Sequence, residues 1–270
     1  MISPLRLDHV VVLVPDLDRA VAVWTAHGFT VVPGGAHQGS PTHNALIGFA
    51  DGSYLELLAR RPGATEPARG LAARLLRRET VPGLADFALS TPDLEAVVAA
   101  GRAAGTAHGE PQRMGRIRPD GQRLAWTIAL PAGPDLPFLI ADETPRGLRL
   151  PDLAACAHAN GAAGIAQVTV LVRDLAASRA RYRALLGAPD AAIAAFTGQE
   201  PPGTRAAFDL QGTIVELIAP ERAEDPLARR LAERGEGPAQ ITLQVPGLPG
   251  GRPLATDPAY LADVLLAPDA

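Results

Sequence analysis

The sequence predicts an α+β fold built from tandem βαβββ units. Four segments share one design, in which a short apolar run ends in a sequence like Pro-Asp-Leu and is followed by a stretch with helical periodicity. Aligned on the final leucine of each segment, the equivalent positions are His9, Asp86, Gln167 and Gln240. Because self-similarity at a nearly constant period indicates a repeated architecture, we expect one unit to recur along the chain.

The first unit contains its elements in the order strand, helix, strand, strand, strand. The apolar run that begins at Leu7 is short and bounded by turn residues, as a strand usually is. Asp16 stands where an N-cap side chain accepts a hydrogen bond from the first free amides of a helix. The apolar residues after Asp16 fall on one helical face. The strand-like stretches that follow are residues 30–32, 44–49 and 53–58.

Units two and three repeat this order, with Asp93 and Asp174 at the N-cap position. The strands expected after their helices are a stretch near Gln112 with residues 123–130 and 137–140, and then residues 193–196, 205–210 and 213–218. Arginine-rich helices are expected at residues 67–78 and 226–234. The fourth unit is abbreviated, because too few residues follow its first strand to complete the set.

The larger period is two units, because the ends of units one and three also match. Glu56-Leu-Leu-Ala is echoed by Glu216-Leu-Ile-Ala. We therefore predict a duplicated domain. The first copy spans residues 1–148, as units 1–80 and 81–148, and the second copy spans residues 160–270 and is degenerate, with a truncated last unit.

Composition excludes several classes of chemistry and of partner. A net charge of −4 gives no broad basic surface for nucleic acid, and no apolar run reaches the roughly 18 residues that a membrane span requires. All 25 basic residues are arginine, which excludes a Schiff-base lysine and a Walker A loop. Cys156 is the single cysteine, so no internal disulfide or thiolate zinc cluster is available. Since the N-terminus has no signal-peptide pattern, we expect a soluble, cytoplasmic protein.

Seven short segments combine in a way that is typical of one superfamily. They are Leu7-Asp-His9, Gly28-Phe-Thr-Val-Val-Pro-Gly-Gly35, Thr42-His-Asn44, Tyr54-Leu-Glu-Leu57, Arg118-Pro-Asp-Gly121, Pro137-Phe-Leu-Ile140 and His158-Ala-Asn-Gly161. The chain resembles the vicinal oxygen chelate superfamily over nearly its whole length, and in particular its bacterial glyoxalase-like domain proteins. The resemblance implies that βαβββ units pair into cupped mixed sheets around a metal site.

The resemblance also implies which residues would bind the metal. Ligands in that superfamily come from the first and last strands of each unit, which assigns His9 and Glu56 to unit one. Strand alternation supports the assignment, because His9 shares a face with Val11 and Glu56 shares a face with Tyr54. Nitrogen and oxygen ligands of this kind suit a divalent zinc, nickel, manganese or iron ion. A direct hydrogen bond between His9 and Glu56, left from a lost metal site, remains the alternative.

The remaining metal ligands depend on which unit faces unit one. Sequential pairing with unit two adds only Asp86. Pairing with unit three would add Gln167 and Glu216, and would complete the His/Gln/Glu/Glu set of glyoxalase I. Gln167 is therefore a third candidate metal ligand, although the favoured alternative is that it and Glu216 satisfy one another in a core.

Other polar side chains are candidates for catalysis and substrate binding. The candidate catalytic residues are Glu216, Asp86 and His43. The candidate substrate-binding residues are His37, Asn44, Arg116 and Arg118. An arginine pair can grip a carboxylate or phosphate, whereas the alternative for Arg116 and Arg118 is a solvated hairpin.

Two functions follow from these residues and from the resemblance. The first is a divalent-metal-dependent lyase or isomerase that acts on a small oxygen-rich substrate through metal-chelated vicinal oxygens. The second is a metal-free protein of the same fold that binds or sequesters a small molecule. Superfamily members often associate through sheet edges, which leaves a homodimer open.

Overall fold

Eight strands from the first half of the chain close into a barrel. The computed structural model describes residues 5–106, 108–150, 152–187, 204–254 and 264–268. The barrel strands are β1 (Arg6–Leu13), β2 (Val32–His37), β3 (Thr42–Gly48), β4 (Tyr54–Arg60), β5 (Gly83–Ser90), β6 (Gln112–Ile117), β7 (Arg123–Ala129) and β8 (Phe138–Asp142). Their order around the barrel is β1-β4-β3-β2-β6-β7-β8-β5, so unit one pairs with unit two. The cupped mixed sheet that the resemblance implies is therefore present.

The second half of the chain forms a six-stranded mixed sheet, with strand order β10-β11-β9-β12-β14-β13. Its strands are β9 (Gly164–Leu171), β10 (Thr204–Asp209), β11 (Ile214–Ala219), β12 (Gly237–Gln244), β13 (Arg252–Pro253) and β14 (Val264–Ala267). The predicted strand at residues 193–196 lies outside the described residues. As in the barrel, the first strands of two successive units, β9 and β12, pair in antiparallel fashion.

Aspartate N-caps begin the first helix of units one, two and three, as the sequence predicts. Asp16, Asp93 and Asp174 each accept a hydrogen bond from a backbone amide three residues later, at 2.9–3.0 Å. Such a cap contributes about 1 kcal/mol to helix stability. The helices are α1 (Leu17–Ala26), α2 (Gly70–Leu76), α3 (Leu94–Ala103), α4 (Arg146–Arg149), α5 (Leu175–Leu186) and α6 (Pro226–Arg234). No described helix is long and apolar enough to cross a lipid bilayer.

Strand β2 differs from its prediction. The sequence predicts a strand at 30–32, whereas β2 begins at Val32 and ends at His37. Pro33 and two glycines conceal this strand from a propensity argument, because both residue types are depleted in strands. His37 and Arg116 consequently lie on paired strands, β2 and β6, rather than in loops.

Alternate residues of the barrel strands face two different apolar clusters. Val10 and Val12 of β1 face outward, in one buried cluster with Val168 of the second sheet. Val11 faces inward, in a second cluster that includes Leu75 of α2. Helix α2 therefore packs against the inner face of the barrel and narrows the cup.

The first strand of every unit carries a β-bulge at one equivalent position. The register of the β1–β5 and β9–β12 pairs skips one residue on each strand, namely Asp8, Ala85, Ala166 and Ala239. These residues directly precede the four aligned positions found in the sequence. A bulge breaks the two-residue alternation and changes the direction of the neighbouring side chains. The direction of the residue after each bulge therefore depends on the bulge as well as on the alternation of the strand.

Two arginines join the barrel and the second sheet reciprocally. Arg234, at the end of α6, donates to the carbonyl oxygens of Pro82 and Leu84 beside Gly83, the first residue of β5. Arg78, two residues after α2, donates to the carbonyl oxygen of Glu236, beside the first residue of β12. Both glycines that begin these strands have positive φ, +120° and +135°.

We expect Gly83→Ala to destabilise the fold by about 1–3 kcal/mol, because its φ is unfavourable for an L side chain. A Cβ at this position would also lie 3.0 Å from Nη1 of Arg234. Urea unfolding measures the effect. The control is Gly121→Ala, where φ is +84° and no atom lies within 4 Å of the added Cβ. Equal losses in the two variants would mean that the contact with Arg234 has no importance.

Candidate functional site

The barrel encloses a cavity of about 580 Å³, counted with the solvent at its opening. Polar side chains from β1, β2, β3, β4 and β6, from the loop between β2 and β3 and from α4 form one part of its wall. Apolar side chains, including three from α2, form the rest. The polar residues are His9, His37, Ser40, Thr42, Asn44, Tyr54, Glu56, Arg116 and Arg149. The cavity can therefore hold a partly apolar molecule with polar groups at one end.

His9 is held in position by its neighbour Asp8. The Nδ1 atom of His9 lies 2.7 Å from the Asp8 carboxylate, and Nε2 lies 3.4 Å from Oε2 of Glu56. Burial alone lowers the pKa of His9, but the hydrogen bonds and charges of Asp8 and Glu56 outweigh burial and raise this pKa above 6.5. Asp8 and Glu56 therefore favour the protonated form of the His9 imidazole.

Glu56 is the anionic centre of the cavity. Its Oε1 atom accepts a hydrogen bond from Nδ2 of Asn44 at 2.6 Å and lies 3.5 Å from Nε2 of His37. Burial raises the pKa of a carboxylic acid, yet the hydrogen bond from His9 and the neighbouring histidines and Asn44 lower the pKa of Glu56 to about 2. Glu56 is thus an ionised carboxylate beside an imidazole whose protonated form it favours.

Asp8 owes its ionised state to Arg149 of α4. Both terminal nitrogens of Arg149 donate to Asp8, at 2.7 and 2.9 Å, and Arg149 also binds Asp142. Burial disfavours the charge of Asp8, but the charge and hydrogen bonds of Arg149 lower its pKa well below 3.8. Arg149 also donates to the hydroxyl of Tyr54, whose ring stacks on His9 at 4.6 Å between centroids. The ring of His9 is therefore fixed both at one nitrogen and on one face.

Asn44 links Glu56 to Arg116. Its Oδ1 atom accepts a hydrogen bond from Nη1 of Arg116 at 3.1 Å, while Nδ2 binds Glu56. Gly34 on β2 makes room for this pair, since a Cβ there would lie 2.0 Å from Oδ1 of Asn44 and 2.3 Å from Nη1 of Arg116. The orientation of the Asn44 amide follows from its two charged neighbours.

His37 differs from His9 in its environment. Its Nδ1 atom lies 2.9 Å from the hydroxyl of Thr42, and no described carboxylate plays the part that Asp8 plays for His9. Burial, helped by the charge of Arg116, lowers the pKa of His37 below 6.5. His37 is therefore neutral at neutral pH, with a ring nitrogen directed toward Glu56.

Of the sequence-predicted residues, the barrel brings together His9, Glu56, His37, Asn44 and Arg116. His43 lies between two cavity-lining residues of β3 and so faces the other side of the strand. There burial lowers its pKa, and its charged neighbours are Asp16, Asp18 and Arg61. His43 does not line the cavity.

Asp86 and Arg118 also have other partners. The Asp86 carboxylate forms an ion pair with Arg74 of α2, so it anchors that helix. Arg118 pairs with Asp120 at 3.0 Å and donates to the carbonyl oxygen of Leu148. Neither side chain lines the barrel cavity, although Arg118 lines a neighbouring one.

Gln167 and Glu216 lie in the second sheet, because unit one pairs with unit two. Nε2 of Gln167 donates to Oε2 of Glu216 at 2.8 Å, and Arg205 donates to the other carboxylate oxygen at 3.0 Å. Thr169 completes this buried polar group at 3.3 Å. The structure thus joins Gln167 to Glu216 and does not bring either residue to the barrel cavity.

The side chains of the barrel do not complete the four-ligand set that the resemblance implies. His9 and Glu56 occupy the two expected positions of unit one. In unit two, Asp86 is bound by Arg74, and β8 presents the apolar Ile140 to the cavity. Within the described ranges, no group of three or more His, Cys, Asp or Glu side chains is arranged to hold a metal ion.

Three residues of the site were not found from the sequence: Asp8, Tyr54 as a stacking partner, and Arg149. Strand alternation directs Asp8 away from the cavity, but Asp8 lies at a bulge, where the alternation is interrupted, and its carboxylate contacts His9. Each equivalent bulge residue in the other units is alanine. The sequence therefore did contain one indication that Asp8 has a special role, because unit one has a carboxylate where the other units have alanine.

Comparison with known proteins agrees with this architecture. A family model described as "Glyoxalase-like domain" matches residues 7–186. A hypothetical protein from Staphylococcus aureus has a similar structure, with a TM-score of 0.74 and 15% identity over 98% of this chain and 99% of that chain. A variant of 4-hydroxymandelate synthase from Streptomyces coelicolor has a TM-score of 0.60 and 17% identity over 90% and 71% of the two chains. No curated protein matches in sequence. At these identities the structural likeness shows the fold.

Proposed function

Because this chain belongs to the glyoxalase-like domain family, we propose that its barrel cavity binds a small oxygen-rich organic molecule and transfers a proton on it. The reaction class is that of a lyase or an isomerase. Glu56 would accept a proton from a carbon next to a carbonyl group, and His9 would give a proton to the product. The proton on Glu56 would then pass to His9, 3.4 Å away, and restore both groups. The apolar part of the cavity wall, including α2, would hold the rest of the molecule and exclude water.

One observation carries the proposal: the His9 imidazole and the Glu56 carboxylate lie 3.4 Å apart on the polar part of the wall of a cavity that is otherwise lined by apolar side chains. General acid–base catalysis needs a donor and an acceptor whose protonation states are set by their surroundings. The 3.4 Å between His9 Nε2 and Glu56 Oε2 is longer than a tight charge-assisted hydrogen bond. The pair is therefore loose enough for a substrate that lies against this wall to form a hydrogen bond with either group.

The residues around this pair support the same role. Asp8 fixes the ring of His9, as a carboxylate does in many acid–base sites. Asn44 holds Oε1 of Glu56, which leaves Oε2 directed toward His9. His37 is neutral, so it would donate a hydrogen bond to a substrate oxygen or accept one from a substrate hydroxyl.

A divalent-metal-dependent enzyme is the second candidate function. The contact between Asp8 and Nδ1 of His9 favours this function. A histidine that binds a metal through one ring nitrogen usually donates a hydrogen bond from the other nitrogen to a carboxylate or carbonyl oxygen. His9 and Glu56 would be the protein ligands. We infer the metal-free reaction first, because the other two positions of the expected ligand set are not free to contribute.

Deuterium exchange tests the proposal without knowledge of the substrate. A panel of small hydroxy and keto compounds is incubated with the protein in deuterium oxide, and loss of carbon-bound proton signals is followed by NMR. We expect exchange of at least one compound, in protein purified without chelator and in protein dialysed against EDTA alike. Elemental analysis of the first sample measures bound metal.

The outcomes separate the three functions. Exchange that survives EDTA supports the proposal. Exchange that requires a stoichiometric bound metal, which is lost together with activity in His9→Ala, supports the metal-dependent enzyme instead. If compounds bind but none exchanges its carbon-bound protons, both enzymatic functions are contradicted, and the result supports a metal-free binding protein.

A further inference from the structure

Arg116 is a buried cation without a carboxylate partner. Its side chain lies on β6, only 3% of the residue is exposed, and its hydrogen bonds are to Oδ1 of Asn44 and the backbone oxygen of Arg149. Among the described carboxylates, none forms an ion pair with it. By contrast, Arg149, which is buried to the same extent, contacts the carboxylates of Asp8 and Asp142 directly. Buried charges in proteins are usually paired, and the charge of Glu56 reaches Arg116 only across Asn44, so the lack of a direct carboxylate contact requires an explanation.

Two cavities meet at Arg116. It lines the barrel cavity, and it also lines a second, more open cavity of about 740 Å³, counted with the solvent at its opening, between β2, the loop after β6 and the connector that follows α4. The second cavity is lined in part by Val32, Pro33, Leu148 and Leu150. The guanidinium group therefore stands in the wall between the two cavities and can be contacted by a molecule that fills either of them.

The neighbouring arginine does not share this property. Arg118 also lines the second cavity, but it pairs with Asp120 and donates to Leu148. Arg116 itself is held in a confined space. The backbone of β2 approaches it closely at Gly34, where any side chain would displace the guanidinium group. The position of Arg116 is thus closely defined, whereas its charge has no direct counterpart.

We infer that the small molecule bound in the barrel carries a carboxylate, and that Arg116 pairs with it. The inference rests on the proposed function, because it concerns the ligand of the same cavity. A guanidinium presents two parallel N–H groups that match a planar carboxylate, and such bidentate pairs are among the strongest polar contacts in proteins. The carboxylate would supply the missing anion, with the reacting carbon placed toward Glu56 and His9.

The experiment compares carboxylic acids with their own primary amides. A panel of small aliphatic and aromatic acids and the matched amides is titrated into the wild-type protein, with binding measured by ligand-observed NMR and thermal shift. A hydrogen bond to a charged group is stronger than one to a neutral group. We expect acids to bind about ten- to a hundredfold more tightly than their amides.

Two variants then locate the effect. Arg116→Lys keeps the positive charge but loses the planar fork, and we expect it to weaken the acids about tenfold and to leave the amides unchanged. Arg113→Gln is the matched control, because Arg113 lies on the same strand, is largely exposed and pairs with Glu143. It is expected to bind acids as the wild type does.

The result that overturns the inference is equal binding of acids and amides, or acid binding that Arg116→Lys leaves intact. Either outcome leaves the proposed function standing, since a neutral molecule would then occupy the cavity. If neither class binds and no compound exchanges protons, the proposed function fails, and the inference fails with it. The comparison of acids with amides needs no variant, so a misfolded Arg116→Lys protein would not prevent the test.

Discussion

Asp8→Asn is expected to lower the free energy of unfolding by about 3–5 kcal/mol at neutral pH, because it removes one partner of a buried ion network. Asp8 is fully buried and receives hydrogen bonds from both terminal nitrogens of Arg149 and from Arg146. The asparagine would leave Arg149 with Asp142 as its remaining carboxylate. It would also remove the charge that stabilises the protonated ring of His9.

Urea unfolding at several pH values measures this effect and its origin. The pKa of Asp8 is lowered on folding, so its contribution to stability is present above pH 3.8 and is lost as pH falls through its folded-state pKa. The difference in stability between wild type and Asp8→Asn should therefore shrink as the pH is lowered below about 4. A difference that stays constant down to strongly acidic pH would contradict the assigned role.

Asp120→Asn is the control for the loss of an ion pair at the surface. Asp120 pairs with Arg118, but its side chain is 50% exposed. Pairs of this kind are worth about 0–1 kcal/mol. If both variants lose a similar small amount, the Asp8–Arg149 network does not stabilise the barrel in the way that its burial indicates.

Much of the fold follows from local patterns that the sequence displays openly. The aspartates at positions 16, 93 and 174 cap their helices, and the alternation along β1 and β4 correctly directs His9 and Glu56 toward one another. These features depend on neighbours within one element or one unit. Propensity, capping and two-residue periodicity are sufficient to predict them.

The parts of the site that escaped prediction depend on long-range or irregular geometry. Arg149 reaches Asp8 from a four-residue helix beyond the barrel, and no local pattern indicates that contact. Asp8 lies at a bulge, which interrupts the alternation from which its direction would be predicted. Asp86 is the position equivalent to His9 in the repeat, yet its carboxylate forms an ion pair with Arg74 of α2. This pair forms because α2, the helix between the two units, packs against the inner face of the barrel.

The repeat therefore predicts equivalent positions better than it predicts equivalent roles. Gln167 and Glu216 occupy the positions of His9 and Glu56, and they satisfy one another with Thr169 and Arg205. The second sheet thus keeps a buried polar pair at the same place without the imidazole. This difference between two structurally matched carboxylates provides an internal control for the proposed chemistry.

Glu56→Gln is expected to slow proton exchange about 10²- to 10⁴-fold, the range that a general base contributes. The amide keeps the size of the side chain but cannot accept a proton from carbon. Its matched control is Glu216→Gln in the second sheet, for which we expect exchange at the wild-type rate. The measurement is the NMR exchange assay under saturating substrate, with urea unfolding used to verify that both variants are folded. Equal activity of wild type and Glu56→Gln would exclude Glu56 as the base, whereas a loss confined to Glu216→Gln would move the reaction from the barrel to the second sheet.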